Sequence, residues 1–135
     1  MKLDIEYIKE MLQIFVESDK ACFGLNDLYK SMALISKDDE KFVFHYRLLC
    51  DDCLVEAFSD QVSASSAIVR NQSGSYTILP TPLRLTKDGI DLFGALNESK
   101  VLEQIKKVPA MAFSILRVVA MDLLTAYIKK QAGVE

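Results

Sequence analysis

The feature that most constrains the fold is a pair of stretches in which a helix and a strand follow one another with almost no linker. Residues 45–53 have the composition of a helix end, and residues 54–58 after them indicate a short β-strand. Residues 83–89 show the reverse order, with a strand that runs directly into a helix. The two junctions predict a unit in which a helix, a strand, a hairpin and a second helix follow one another.

Two helices are predicted at the N-terminus. Apolar residues at helical spacing indicate a first helix over residues 5–18, and Asp4 can cap it by accepting hydrogen bonds from the free N–H groups of the first turn. Gly24 then fits a loop, and Asn26 or Asp27 can cap a shorter second helix. The apolar residues of the first helix are Ile5, Ile8, Leu12 and Phe15, and those of the second are Leu28, Tyr29, Met32 and Leu34.

A third helix is predicted over residues 37–52. Ser36 provides a start signal, and the acidic residues 38–40 suit the positive end of a helix dipole. The periodicity gives this helix an inward face and an outward face. The inward face is Phe42, Tyr46, Leu49 and Cys53, and the outward face is Glu40, Phe44, Arg47, Leu48 and Asp51.

The middle of the chain has the pattern of a β-hairpin. Residues 67–70 and 76–79 flank a turn rich in Asn, Ser and Gly, which tolerate unusual backbone angles. Pro80 and Pro82 end the hairpin, because proline cannot donate a hydrogen bond to a neighbouring strand. A last strand is predicted over residues 83–85.

The fourth helix begins at the second junction. Thr86 caps it, and Ile90, Phe93 and Leu96 are expected to point inward. Gly89 in its first turn lowers helix propensity, so we expect it to permit close approach of a neighbouring backbone.

Two more helices complete the chain. One covers residues 97–108, with Val101, Leu102, Ile105 and Val108 as its apolar set, and Pro109 marks its end. The last, residues 110–131, is apolar over most of its circumference, as is typical of a helix buried on two sides. Arg117 and Asp122 argue against a membrane span. We therefore expect this helix to pack on its own domain and on a second copy, with the dimer interface at Ile115, Val119, Leu123 and Tyr127.

This order of elements predicts an α+β fold that is mostly α. The predicted fold is a winged helix-turn-helix, with a small antiparallel hairpin and sheet and a long C-terminal dimerisation helix. The length of 135 residues suits one domain. Within it, we assign residues 1–96 to the winged-helix domain and residues 97–135 to a C-terminal helical extension that packs on it and on a partner.

Four motifs resemble a family of short uncharacterised bacterial and prophage proteins. They are the opening residues 1–8, the His-x-x-Leu-Leu stretch from His45 followed by Leu54-Val55, the Arg-Leu-Thr-x-x-Gly stretch from Arg84, and the Phe-Ser pair at Phe113. This family has no established biochemical role. The resemblance implies a winged-helix fold, DNA binding and dimers as expectations.

We accordingly expect a winged-helix DNA-binding protein that regulates transcription in a prophage or mobile element. The net charge of -3 gives no global attraction to nucleic acid, so DNA binding needs a local basic patch. Residues 37–52 carry three basic against five acidic residues, which disfavours phosphate contact. The candidate DNA contacts are Lys37, Lys41, Arg47, Arg70, Asn71, Gln72 and Arg84.

The acidic third helix leaves a second hypothesis open. Outward Phe44 and Leu48 suit a protein contact better than a base edge. The alternative is therefore a winged-helix protein–protein interaction module without DNA binding.

The cysteines and the histidine invite a chemical interpretation. Cys50 and Cys53 have C-x-x-C spacing, but the helix end and the carboxylates between them raise a thiol pKa, which disfavours redox chemistry. With Cys22 and His45 they could form a zinc set. We interpret Cys50 and Cys53 as small core residues and His45 as a packed residue that hydrogen-bonds a backbone carbonyl. Without a phosphate loop or catalytic triad motif, we expect no enzyme activity, metal or cofactor.

The N-terminus also predicts location. Asp4, Glu6 and Glu10 interrupt any apolar stretch, so we expect no signal peptide and a cytoplasmic protein whose cysteines are reduced thiols.

Overall fold

The computed structural model describes residues 1–58, 62–108 and 112–133. It confirms an α+β chain that is mainly helical with small antiparallel sheets. The described residues form the helices α1 (Ile5–Glu17), α2 (Leu25–Ala33), α3 (Asp39–Asp51), α4 (Lys87–Asn97), α5 (Ser99–Lys106) and α6 (Phe113–Ala132).

Short strands form two separate sheets. The first has three antiparallel strands, with β5 (Pro82–Leu85) between β1 (Phe23–Gly24) and β2 (Val55–Ala57). The second is the hairpin of β3 (Ile68–Arg70) and β4 (Tyr76–Ile78), which confirms the hairpin prediction. Pro82 opens the central strand rather than closing the hairpin, at a position where a missing N–H is tolerated.

The helix–strand junction in residues 45–58 and the strand–helix junction in residues 83–89 meet in space. The Thr86 N–H donates to the Leu54 carbonyl at 2.9 Å, and the Thr86 hydroxyl donates to the Cys53 carbonyl at 2.7 Å. Thr86 also caps α4 by accepting from the Gly89 N–H. A Cβ on Gly89 would lie 2.4 Å from the Leu54 carbonyl oxygen, which confirms the predicted close approach. These contacts join the end of α3 to the start of α4.

The core is formed by α1, α2, α3 and α4, with contributions from α5 and α6. Tyr46 is fully buried, and its hydroxyl donates to the Ala64 carbonyl at 2.6 Å. The largest fully buried side chains include Phe42, Ile8, Met11, Leu28, Met32, Leu49, Leu54 and Leu92.

Two helix starts differ from their predictions. Asp38, not Ser36, caps α3, because the Ser36 N–H still bonds the Met32 carbonyl in the turn that ends α2. Gly24, not Asn26 or Asp27, precedes α2, since Gly24 is held in β1 beside β5. Asp4 caps α1 as predicted, accepting from the Tyr7 N–H.

Four residues of the predicted apolar faces are exposed instead, including Cys53 and Ile90, which were predicted to point inward. Cys53 and Val108 are exposed, Leu34 is 90 % exposed and Ile90 is 54 % exposed. Leu34 follows the end of α2, Cys53 follows the end of α3, and Val108 follows the end of α5. The helical spacing of apolar residues does not apply beyond these ends. In α4, the contact of Gly89 with the Leu54 carbonyl rotates Leu92 and Leu96 inward and leaves Ile90 outside.

Cys53 occupies the left-handed backbone region, with φ of 55°. The Leu54 N–H bonds the Leu49 carbonyl and the Cys53 N–H bonds the Cys50 carbonyl, which together form a Schellman motif. Glycine suits this position, so Cys53→Gly should raise the free energy of unfolding by about 0.5–1 kcal/mol. Urea denaturation measures this change. The control Cys53→Ala keeps the Cβ and should give no gain; an equal gain in both variants would contradict the explanation.

α6 is buried on one side only. Phe113, Leu116 and Ala120 are buried, and Arg117 donates to the Asp52 carbonyl at the end of α3 at 3.1 Å. The predicted break at Pro109 and the predicted start of the last helix at residue 110 fall on residues 109–111, which lie outside the described residues. Within the described part of the chain, no helix is both long and apolar enough to cross a membrane.

Candidate functional site

One cleft brings together candidate DNA contacts from α3 and the hairpin. Arg47 of α3 and Arg70 of β3 line a cleft of about 400 Å³. Across it, the Tyr76 hydroxyl donates to the Glu40 carboxylate at 2.8 Å, and the Arg70 guanidinium lies 5.8 Å from the centre of the Tyr76 ring. The remaining lining residues are Met1, Val43 and Phe44. We call this the Arg47–Arg70 cleft.

The two arginines of this cleft carry available charge. Arg47 makes a long contact of 3.5 Å with the Ile68 carbonyl, which links α3 to the hairpin. Among the residues the structure describes, neither Arg47 nor Arg70 lies within 4.0 Å of a carboxylate oxygen. Both side chains belong to exposed residues. The cleft therefore presents two guanidinium groups that can accept an anionic partner.

Two other basic candidates are already paired. Lys41 lies 2.9 Å from the Asp4 carboxylate and above the Tyr7 ring, so its ammonium group holds α3 to the start of α1. Arg84 pairs with Glu56 on the neighbouring strand. These pairs reduce what either residue offers to a phosphate. Lys37 is exposed just before α3 and lies outside the Arg47–Arg70 cleft.

The hairpin turn is organised by its own side chains. The Asn71 amide donates to the hydroxyls of Ser75 and Thr77, at 3.0 and 3.1 Å. Asn71 therefore shapes the turn, while Gln72 beside it is exposed. Asn71 and Gln72 are the two amide side chains predicted to contact DNA. Of these, Gln72 is the one whose side chain does not help to hold the turn together.

Acidic groups border the cleft. The first turn of α3 contains Asp39 and Glu40 after the cap Asp38, and the exposed side of the helix continues with Asp51. Asp39 and Glu40 each accept a hydrogen bond from a tyrosine hydroxyl: the bond to Asp39 raises the pKa of Tyr29, and the bond to Glu40 raises the pKa of Tyr76. Because a neutral donor leaves the negative charge uncompensated, the exposed surface of α3 around Arg47 is acidic.

Phe44 and Leu48, the predicted protein contacts, face the C-terminal helices. Both are half-buried and line a groove of about 880 Å³ together with Ile105, Phe113 and Leu116. Sequence periodicity gave their outward direction on α3 but could not show that α5 and α6 approach that side.

His45 is fully buried and makes two hydrogen bonds. Its Nε2 accepts from the Asp4 N–H at 2.9 Å, and its Nδ1–H donates to the Lys41 carbonyl at 2.7 Å. A carbonyl oxygen can only accept a hydrogen bond, so Nδ1 carries a proton. Nε2 carries none, because it accepts from the Asp4 N–H, and the ring is therefore neutral. Burial lowers the pKa of His45 further from its usual range. The predicted carbonyl bond is confirmed, and the ring joins α1 to α3.

The cysteines lie in settings that disfavour thiol chemistry. Burial raises the pKa of Cys50 to about 11, so its thiol is a poor nucleophile at neutral pH. Cys53 is exposed rather than in the core, which corrects its predicted placement. In the described ranges, no three His, Cys, Asp or Glu side chains are grouped so that they could hold a metal ion.

Comparison with known proteins adds no relative. No family model matches this sequence, and no curated protein or solved structure matches it. The resemblance to the prophage family stays a prediction.

Proposed function

We propose that this chain is a winged-helix protein that binds double-stranded DNA and regulates transcription in a prophage or mobile element. Support comes first from topology. The order α1, β1, α2, α3, β2, hairpin, β5, with β5 between β1 and β2, agrees with a winged helix in which the β3–β4 hairpin is the wing.

The observation that carries the proposal is the Arg47–Arg70 cleft. In a helix-turn-helix fold, α3 approaches the major groove, and a wing beside it can reach the flanking backbone. Arg47 and Arg70 come from these two elements and lie in one cleft, although they are 23 positions apart in the sequence. A guanidinium group matches a phosphate with two parallel hydrogen bonds.

The acidic border determines the expected mode of binding. Glu40 and Asp51 flank Arg47 on α3, and carboxylates repel phosphates. The charges on this surface therefore favour contacts with a few DNA phosphates over an extended basic interface. We expect weak binding that depends on salt, in the range of about 10⁻⁴–10⁻⁶ M typical of phosphate-dominated association.

Removing either arginine of the cleft should weaken DNA binding. Arg47→Ala and Arg70→Ala should each raise the dissociation constant by about tenfold, because each charged hydrogen-bonding group contributes about 1.5 kcal/mol. The measurement is fluorescence anisotropy of a labelled duplex at low salt. Arg84→Ala is the matched control, since it removes the same charge from a guanidinium already paired with Glu56. Equal losses in all three variants, or none in the first two, would overturn the assignment.

A protein-interaction module is the second candidate, favoured by the turn between α2 and α3. Leu34 is 90 % exposed and Ile35 is 56 % exposed, and Ser36 and Lys37 separate them from the acidic residues Asp38 and Asp39. This surface suits a partner with basic and apolar side chains better than a phosphate backbone. The anisotropy measurement separates the candidates, because wild-type protein that leaves the duplex signal unchanged at low salt would eliminate DNA binding.

Location follows from the same proposal. A regulator of transcription acts in the bacterial cytoplasm, where the three cysteines would be reduced thiols.

A further inference from the structure

The exposed side of α6 has an order of charges that fits a second copy of the chain. The buried residues of this helix, Phe113, Leu116 and Ala120, all lie on one side and all precede residue 121. The opposite side is exposed along the whole helix. It consists of Ile115, Val118, Asp122, Thr125, Ala126 and Lys129, which we call the α6 stripe.

Helix geometry places the charged members of the stripe in line. Asp122 and Lys129 are seven positions apart, which is close to two helical turns, so both project from the same side. Between them lie Thr125 and Ala126, whose side chains are small enough for close approach of another helix.

We propose that two copies pair antiparallel along the α6 stripe, with the two-fold axis between Thr125 and Ala126. In this register, Asp122 of each copy lies opposite Lys129 of the other. A two-fold interface repeats every contact, so the dimer contains two such ion pairs. Antiparallel alignment also places the opposite ends of the two helix dipoles side by side.

The charges discriminate against other arrangements. A parallel pair in register would place Asp122 beside Asp122 and Lys129 beside Lys129. An antiparallel pair whose axis passes through Asp122 or through Lys129 would also bring like charges together. The register at Thr125 and Ala126 joins opposite charges and small residues at once.

This interface differs from the i, i+4 series predicted from the sequence. Val119, Leu123 and Tyr127 are half-buried, and Leu123 packs against the core of its own domain. Each step of four residues turns about 40° around a helix, so that series moves from the exposed side at Ile115 toward the domain. In the proposed dimer these residues border the contact, and the α6 stripe forms its centre.

A single helix face gives less contact than the roughly 800 Å² per partner of a tight complex, so we expect a weak dimer. Sedimentation velocity without nucleic acid should show wild-type protein associating as its concentration rises. Asp122→Lys and Lys129→Asp should each raise the dimer dissociation constant about tenfold, because each converts two attractions into two repulsions. The double variant Asp122→Lys/Lys129→Asp restores both pairs and should return to within about threefold of wild type.

The matched control is Lys130→Asp. It makes the same charge change one position along the helix, about 100° around the axis from Lys129, and should leave association unchanged. Wild-type protein that stays monomeric, a double variant no better than the single ones, or an equal loss in Lys130→Asp would each overturn the proposal. None of these results bears on DNA binding, since the experiment contains no nucleic acid.

Discussion

Gly89→Ala is expected to lower the free energy of unfolding by about 3 kcal/mol, because it forces atoms into a filled space. The added Cβ would lie 2.4 Å from the Leu54 carbonyl oxygen and 3.1 Å from the Leu85 side chain. The carbonyl cannot move away freely, since it already accepts the Thr86 N–H at the start of α4. Relief of the clash would therefore separate α4 from the end of α3.

Gly94→Ala provides a control in the same helix. Gly94 is exposed, and a Cβ there meets no atom within 4 Å. Alanine should raise stability at this position by about 1 kcal/mol, because glycine is the poorer helix former. Urea denaturation of both variants gives the comparison. A loss at both positions, or a gain at both, would show that the contact of Gly89 with the Leu54 carbonyl does not determine the junction.

The second large effect is expected at His45. His45→Leu leaves the Asp4 N–H without its acceptor and removes the bond to the Lys41 carbonyl, so we expect a loss of about 2–3 kcal/mol. His45→Gln keeps an acceptor near the position of Nε2 and should recover part of this loss. Thermal or urea unfolding measures both variants. Equal stability of the leucine variant and wild type would contradict the structural role of the ring.

The same histidine gives the protein a pH dependence with a definite sign. The pKa of His45 is lowered in the folded state, chiefly by burial, so the unfolded chain takes up the proton first as pH falls. Stability should be constant above the usual histidine pKa of about 6.5 and decrease below it, by up to about 1.4 kcal/mol per pH unit, until the folded pKa is reached. The titratable side chains next to the His45 ring are those of Asp4, Lys41 and Tyr7.

His45→Gln isolates this contribution, because the chain contains one histidine. Between about pH 6.5 and 5.5, the wild-type free energy of unfolding should fall while that of the variant stays level. Carboxylates titrate mainly below this window. Parallel curves for the two proteins would assign the pH dependence to another group.

Local sequence signals predicted the parts of the fold that depend on neighbouring residues. Asp4 and Thr86 cap their helices as predicted, and Gly89 makes the close backbone contact that its position in a first turn indicated. Cys53 and Ile90 were misplaced for tertiary reasons. A left-handed residue ends the periodicity at Cys53, and the packing of Gly89 sets the rotation of α4.

The candidate site was less accessible to sequence reasoning. Arg47 and Arg70 could be named because the element order placed α3 and the hairpin together. The pairing of Lys41 with Asp4 and the bond between Tyr76 and Glu40 join residues 37 and 36 positions apart, and no local pattern indicates either. These long-range contacts decide which charges remain available on the surface.

The salt dependence of duplex binding tests most directly whether the Arg47–Arg70 cleft binds the DNA backbone. Each phosphate contact contributes a slope of about −0.9 in a plot of log association constant against log salt concentration, so two arginines predict about −2 for one copy and about −4 for a dimer. Anisotropy titrations of wild-type protein should give a slope in this range. A slope near zero, or no binding at low salt, would contradict DNA binding by this cleft.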